Sequence, residues 1–175
     1  MKYMEAVKQS MQMLAEKEGA IFIGYNVKYG SHVYGTITDV SESQRLETPV
    51  AENLMTGLAL GMSLENIRPV LCFERHDFML NGLDALANHL DKFEEMSEGQ
   101  FHLRVIIRAI IGSKKPLYPG LQHTQNFTRI FKMLFSFPVL TPETPGAVLR
   151  DYETARNAQG PCMVIENRAL YESVG

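Results

Sequence analysis

Glu52 is the residue whose setting in this sequence best suits it to handle a proton. Thr48 and Pro49 precede it as a helix-opening pair, an N-cap followed by a proline suited to the first turn. Leu54, Met55, Gly57, Leu58, Ala59, Leu60, Gly61 and Met62 follow it, apolar or small on nearly every face, and a helix of that kind is expected to be buried. The pattern thus sets a lone carboxylate at the mouth of a buried element. Desolvation there penalises the ionised form, which suits the group to holding and passing a proton. The plainer alternative is an acid that only complements the positive end of the helix.

Other chemistry-bearing residues follow apolar runs: Tyr25 and Asn26 after the first, Glu74, Arg75, His76, Asp77 and Phe78 after the second. A third group, Gln122-His123-Thr124-Gln125, closes a Gly/Pro-rich loop. With Glu52 these form a candidate site of carboxylates, two histidines and an aromatic ring. Each group also has a bland explanation, since loops collect polar residues and His123 is placed to cap a helix. His89 lies among Leu83, Leu86 and Leu90 and reads as a helix-surface residue, while His32 and His102 have no partner pattern. No GxGxxG, P-loop, HExxH, CxxC or GxSxG motif occurs, so dinucleotide, nucleoside-triphosphate, zinc-protease and serine-hydrolase chemistries lack support.

The elements that position these residues alternate. Helical periodicity covers 2–17, with Met4, Val7, Met11 and Leu14 on one stripe. Apolar strands are predicted at 20–24, 69–73, 103–111, 137–140 and 162–166. Between them come the Glu52 helix, a long helix over 78–96, a helix near 125–135 and one over 145–158. Apolar strands separated by helices imply an α/β fold, a mostly parallel sheet flanked by helices, and residues 1–175 read as a single domain. In such sheets ligands sit beyond the carboxyl ends of the strands, where the polar groups above fall.

The 175 residues suffice for one real core, and the 45% hydrophobic and 21% charged fractions are those of a globular protein. A net charge of −3 without a basic run argues against nucleic acid, and no stretch is long and apolar enough for a bilayer span. The two cysteines, Cys72 and Cys162, lie in apolar runs and read as buried free thiols. With a polar-rich amphipathic N-terminal segment in place of a secretory leader, they point to the cytoplasm.

In the order RLETPVAEN, RPVLCFERHDFMLNGLDAL, MSEGQFHLRVIIRAIIG, LQHTQNF and GPCMVIENRALY, the chain resembles the pyrimidine-binding domain of transketolase-type thiamine diphosphate enzymes. The likeness is greatest to the N-terminal half of the beta subunit of 2-oxoacid dehydrogenase decarboxylases, of the pyruvate and branched-chain kinds, and it runs from about Met1 to Tyr171. The resemblance implies the thiamine diphosphate-binding fold and carries roles onto matching positions. Glu52 matches the glutamate that bonds N1′ of the aminopyrimidine and favours the imino tautomer, which deprotonates thiazolium C2. Phe78 matches the aromatic against the pyrimidine, Glu74 a polar position near its amino group, and His123 a histidine that contacts substrate.

The chain departs from that pattern at Gly24-Tyr25-Asn26-Val27, where the family has an acidic pair, and at Glu74-Arg75-His76, where it is more charged. The charged wall suits a polar substrate, phosphorylated or polyhydroxylated. No stretch matches the family's GDG…N magnesium–diphosphate motif, and none of this chain's residues is assigned to the metal. The resemblance therefore implies thiamine diphosphate with Mg2+ held mainly by an alpha-type partner carrying the diphosphate-binding domain, in an α2β2-like assembly. The expected chemistry is C–C cleavage next to a carbonyl, on a 2-oxoacid or a sugar. Two further readings are a non-catalytic scaffold or regulatory subunit that pairs with an active homologue, and an unrelated flavodoxin-like binding module.

Overall fold

The computed structural model describes residues 1–175. Helix α1 (Tyr3–Glu18) leads through Gly19 into strand β1 (Ile21–Gly24), followed by the one-turn α2 (His32–Gly35) and strand β2 (Arg45–Glu47). Helix α3 (Glu52–Leu64) precedes strand β3 (Pro69–Phe73). A 3-10 segment (His76–Gly82), a π-helical turn (Ala85–Leu90) and the short α4 (Phe93–Met96) lead to strand β4 (Ile106–Ile111). Helix α5 (Thr128–Leu134), strand β5 (Val139–Leu140), helix α6 (Pro145–Asn157) and strand β6 (Cys162–Asn167) complete the chain, with Thr144 capping α6 through the Ala147 amide. The strands form one parallel sheet in the order β2-β1-β3-β4-β6-β5.

Alternation along the strands divides the core. Phe22, Val70, Cys72, Ile106, Ile110, Cys162 and Val164 face α1 and α6, packing with Tyr3, Met11, Leu14 and Tyr152. Their neighbours Ile23, Leu71, Phe73, Ile107, Ala109, Met163 and Ile165 face α3 and α5, packing with Met55, Leu86, Phe131 and Phe135. The period of two in a strand puts successive side chains on opposite faces, so a run apolar at every position must be covered on both sides. The expected parallel α/β sheet flanked by helices is therefore present.

Several local expectations change. The long helix over 78–96 is three short pieces, because its turns follow the wall of the site rather than one straight axis. β2 is an extra edge strand of three residues, too short and polar for an apolar-run criterion. α3 opens at Glu52 with Ala51, not Thr48, at its N-cap, and the Thr48 N–H instead donates to the Gly24 carbonyl at 2.9 Å. The expected burial of α3 on all sides is also corrected. Met55, Thr56, Ala59 and Ser63 face the core, while Val50, Leu54, Gly57, Leu58 and Gly61 face outward. Both cysteines are free and buried.

An unforeseen feature crosses the α1/α6 side of the sheet. Arg108 and Glu166 are wholly buried and joined by bonds of 2.7 and 3.0 Å, with Tyr152 and Tyr171 also donating to the carboxylate. Arg108 donates to Thr36 Oγ1 at 2.8 Å, and Thr36 in turn bonds the Val33 carbonyl at 2.6 Å. The pair lies on one face because both positions share the parity of Ile106, Ile110, Cys162 and Val164. A charge inside each of the runs IIRAII and CMVIEN was the visible signal.

Candidate active site

The candidate residues collect at the carboxyl ends of β1, β3 and β4. Glu52, the first residue of α3, is 4% exposed, and its Oε1 is buried without a hydrogen-bond partner. Gly82 brings the 3-10 wall against this helix start: a Cβ there would lie 3.1 Å from the Glu52 carbonyl oxygen. Tyr25 is buried beside it, its hydroxyl likewise unpartnered. Burial first, and then the Glu52 and Glu74 carboxylates, push the Tyr25 phenol well above its ordinary value, so it stays a neutral donor.

Phe78, half-buried on the 3-10 segment, meets His123 edge to face with ring centroids 5.1 Å apart. This is the offset geometry aromatic rings prefer. His123 arrives on a separate turn, Leu121–His123, whose backbone crosses the end of β4 at Gly112. A Cβ on Gly112 would stand 1.8 Å from the His123 carbonyl oxygen, so only glycine admits this crossing. Gly112→Ala is accordingly expected to displace the His123 turn and destabilise the fold by about 1–3 kcal/mol, as overpacking does. Denaturant midpoints and His123 imidazole NMR shifts check this; unchanged shifts would show that the crossing tolerates a methyl.

The other polar residues of this wall hold it in place. Glu74 accepts from Asn26 Nδ2 at 2.6 Å and from the Ser31 hydroxyl, tying β3 to the loop after β1. His76 is fully buried, stacked on Phe127 and edge-on to Phe131, and its Nε2 accepts the Phe127 amide at 3.0 Å. Burial lowers its pKa, which favours the neutral ring that this bond requires. Asp77 Oδ1 accepts from the Gln125 backbone at 3.0 Å and its side-chain amide at 3.2 Å. His76 and Asp77 thus pin residues 125–127 beside His123 rather than facing an open site. Sequence reasoning missed Glu47, whose carboxylate accepts the amides of Asn26, Val27, Lys28 and Tyr29 at 2.7–3.3 Å. The acid that organises the loop after β1 comes from β2, not from that loop.

The structure therefore sets Tyr25 beside Glu52 and Glu74, and Phe78 against His123, and leaves His89 and His102 paired with Asp84 and Glu94 elsewhere. A larger cavity of about 1150 Å³ lies among Asp91, Glu94, Phe137 and Gly160 and contains none of Glu52, Tyr25, Phe78 and His123. It lies toward the starts of β4, β5 and β6, at the opposite edge of the sheet from these residues.

A six-stranded parallel sheet covered by helices on both faces is the α/β fold of the pyrimidine-binding domain of transketolase-type enzymes. The chain belongs to that family: residues 1–173 match the family described as "Transketolase, pyrimidine binding domain". It is 25% identical over 179 residues to the pyruvate dehydrogenase E1 component subunit beta of Acholeplasma laidlawii, covering 97% of this chain and 53% of that protein. Over 172 residues it is 26% identical to the mitochondrial homologue of Saccharomyces cerevisiae, covering 95% of this chain and 46% of that one. With the 2-oxoisovalerate dehydrogenase subunit beta of Bacillus subtilis it shares 21% over 179 residues, 99% and 54% of the two chains. A solved structure titled "Split gene transketolase, inactive beta4 tetramer" superposes with a TM-score of 0.75 at 15% identity, covering 96% of this chain and 51% of that one. The chain spans about half the length of these relatives. No helix is long and apolar enough to cross a membrane.

Proposed function

We propose that residues 1–175 act as one pyrimidine-binding domain, a beta-type half-subunit of a split thiamine diphosphate-dependent enzyme. The observation that carries this reading is the Glu52 carboxylate, buried with Oε1 unpartnered beside the neutral Tyr25 hydroxyl. A native interior rarely leaves such an atom unpaired, so an orphan at the carboxyl edge of the sheet asks for an external partner. An aminopyrimidine fits: its ring nitrogen accepts or shares the Glu52 proton, and its flat face suits Phe78. When bound, the cofactor supplies a carbanion at thiazolium C2 and the electron sink for C–C cleavage next to a carbonyl.

In this reading Glu52 holds or moves one proton at the pyrimidine nitrogen. Phe78 limits the slot and excludes water, and Glu74 keeps the wall in register through Asn26 and Ser31. His123, fixed over Phe78, stands where it can orient or protonate a substrate carbonyl. These residues address only the pyrimidine half, so an alpha-type chain carrying the diphosphate and Mg2+ site is proposed as partner. The outward face of α3 supports such pairing. Leu54 on α3 and Val50 just before it are 56% and 67% exposed, and the space over Gly57 and Gly61 is empty. An apolar face with small residues admits a second helix at close range. The similar split-gene transketolase assembly of beta chains alone, a beta4 tetramer, is described as inactive, which agrees with a need for the other chain. A 2-oxoacid or a sugar is the proposed substrate class, and the cytoplasm the proposed location.

Calorimetric titration of thiamine diphosphate with Mg2+ tests this reading, with and without the alpha-type partner. Binding only in its presence is expected. No binding in either case would reject the catalytic reading in favour of a non-catalytic subunit. Gly57→Leu is expected to leave the isolated chain folded, since nothing lies within 4 Å of the added Cβ and leucine favours helix. It should weaken partner or self-association by about tenfold or more, because the bulk blocks close helix approach. Sedimentation of the variant decides; an unchanged assembly would remove this face from the interface.

A further inference from the structure

Alone among the histidines of this chain, His76 is fully buried, where the segment after β3 begins. Its ring sits between two others, stacked on Phe127 with centroids 5.8 Å apart and edge-on to Phe131 at 5.6 Å. Nε2 accepts the Phe127 N–H at 3.0 Å, so it presents its lone pair and the proton of the neutral ring is on Nδ1. Nδ1 is itself buried without a hydrogen-bond partner. A second proton enters at Nε2 and points at the very N–H which that nitrogen now accepts. Two donors facing each other cannot bond, so the closed arrangement excludes the imidazolium.

That bond holds more than one amide. Residues 125–127 run from the His123 turn into α5, and the hydrogen bonds tying them to the end of β3 are those of Gln125 to Asp77 and of Phe127 to His76. Of the two anchors, the imidazole is the one whose ordinary titration falls near neutral pH. Burial holds the ring below its ordinary pKa, against Asp77 and the Gln125 backbone, which favour the proton. Glu74 and Arg75 precede it but turn away, to Asn26 and Ser31 and onto the Tyr34 ring. α5 and its N-cap present Phe131 and Phe127, and the facing side of β4 carries Ile107 and Ala109. α3 brings Glu52 against Gly82 at the other end of the segment, and His123 faces Phe78. Asp77 Oδ2, buried and without a hydrogen bond, is the acceptor on the same segment left over for a charged ring.

We propose that His76 is a positioning residue for His123 and works as a pH-operated latch. Neutral, it closes residues 125–127 onto the end of β3; protonated, it releases them and frees the His123 turn on that side. The closed ring excludes a proton that the open ring takes with the affinity of ordinary imidazole, about pKa 6.5. Closure is therefore at full strength above that value and weakens about tenfold for each pH unit below it. The latch belongs to the chain by itself and does not rest on the thiamine reading. Where that reading holds, the same opening takes His123 from the substrate on the acid side.

The test follows backbone amide exchange of Phe127 in the full chain by NMR, corrected for the intrinsic rate at each pH. Protection of Phe127 is expected to fall about tenfold between about pH 7.5 and about pH 5.5. It should also lie well below that of Cys162, whose amide bonds the Val105 carbonyl at 3.0 Å inside the sheet, because the latch opens without global unfolding. His76→Gln supplies an uncharged acceptor near the place of Nε2, and its Phe127 protection should lose the pH dependence. His76→Phe keeps the ring stack without an acceptor, and its protection should be low at every pH. The Phe78 ring signals, which sense His123, should show a second midpoint in the parent chain that His76→Gln removes. Phe127 protection that is constant over this interval, or equal to that of Cys162 at every pH, overturns the proposal. So does full protection in His76→Phe, a fall that persists in His76→Gln, or a single Phe78 midpoint in the parent. The parent chain and His76→Phe decide the matter even where His76→Gln does not fold.

Discussion

Glu52→Gln is expected to reduce the partner-assembled protein's thiamine C2 proton exchange by about 10²–10⁴-fold, the range of a positioned acid–base group. The substitution keeps shape and volume and removes the proton exchange at Oε1. That oxygen makes no bond within the chain, so the fold loses no internal hydrogen bond there. Stability should therefore change by less than about 1 kcal/mol, while exchange collapses. The combination separates chemistry from folding. Exchange that persists at the wild-type rate, with the cofactor bound, would leave Glu52 as a helix-start acid and discard its role in activation.

The largest stability effect is expected at Arg108. Arg108→Met leaves the Glu166 carboxylate buried without its cation and should cost about 3–5 kcal/mol, as breaking one side of a buried pair does. Burial and the Glu166 charge push the Tyr152 and Tyr171 phenols well upward, so both remain neutral donors and cannot replace the lost positive charge. The same carboxylate holds Arg108 well above its ordinary value despite desolvation, so the guanidinium keeps its charge. The double variant Arg108→Met/Glu166→Leu should recover part of the loss, since replacing a buried pair by apolar groups is often nearly neutral. Denaturant unfolding measures both, with equal m-values required for the comparison. A single variant as stable as the parent would show that water reaches the pair. Because Thr36 links Arg108 to Val33, the single variant should also loosen α2, where His32, Val33 and Tyr34 take left-handed φ of 48°, 51° and 58°.

What could be read from the sequence was what is local. Runs such as PVLCF and IIRAII are apolar at successive positions, and a pleat of period two buries both faces only in a covered parallel sheet. The polar residues that follow such runs fall at strand ends, which is why Phe78 and His123 were legible as candidates before any contact was known, while Glu52 was legible from its place at a helix start ahead of an apolar stretch. Glu74 was legible too, but its bonds to Asn26 and Ser31 were not.

The tertiary structure decided what depends on pairs distant in the chain. Arg108 and Glu166 are 58 residues apart, and parity tells which face each occupies but not that β4 and β6 are neighbours. His76 and Asp77 look like site residues because of their type, yet bonds to residues 125–127 turn them into anchors. The Glu52 helix is apolar all round, but only packing tells which side meets this chain and which stands open. A sequence period reports how residues face relative to one another. Which partner each face meets is set by chain crossings and close approaches, such as Gly112 under His123, and these exist only once the sheet is assembled.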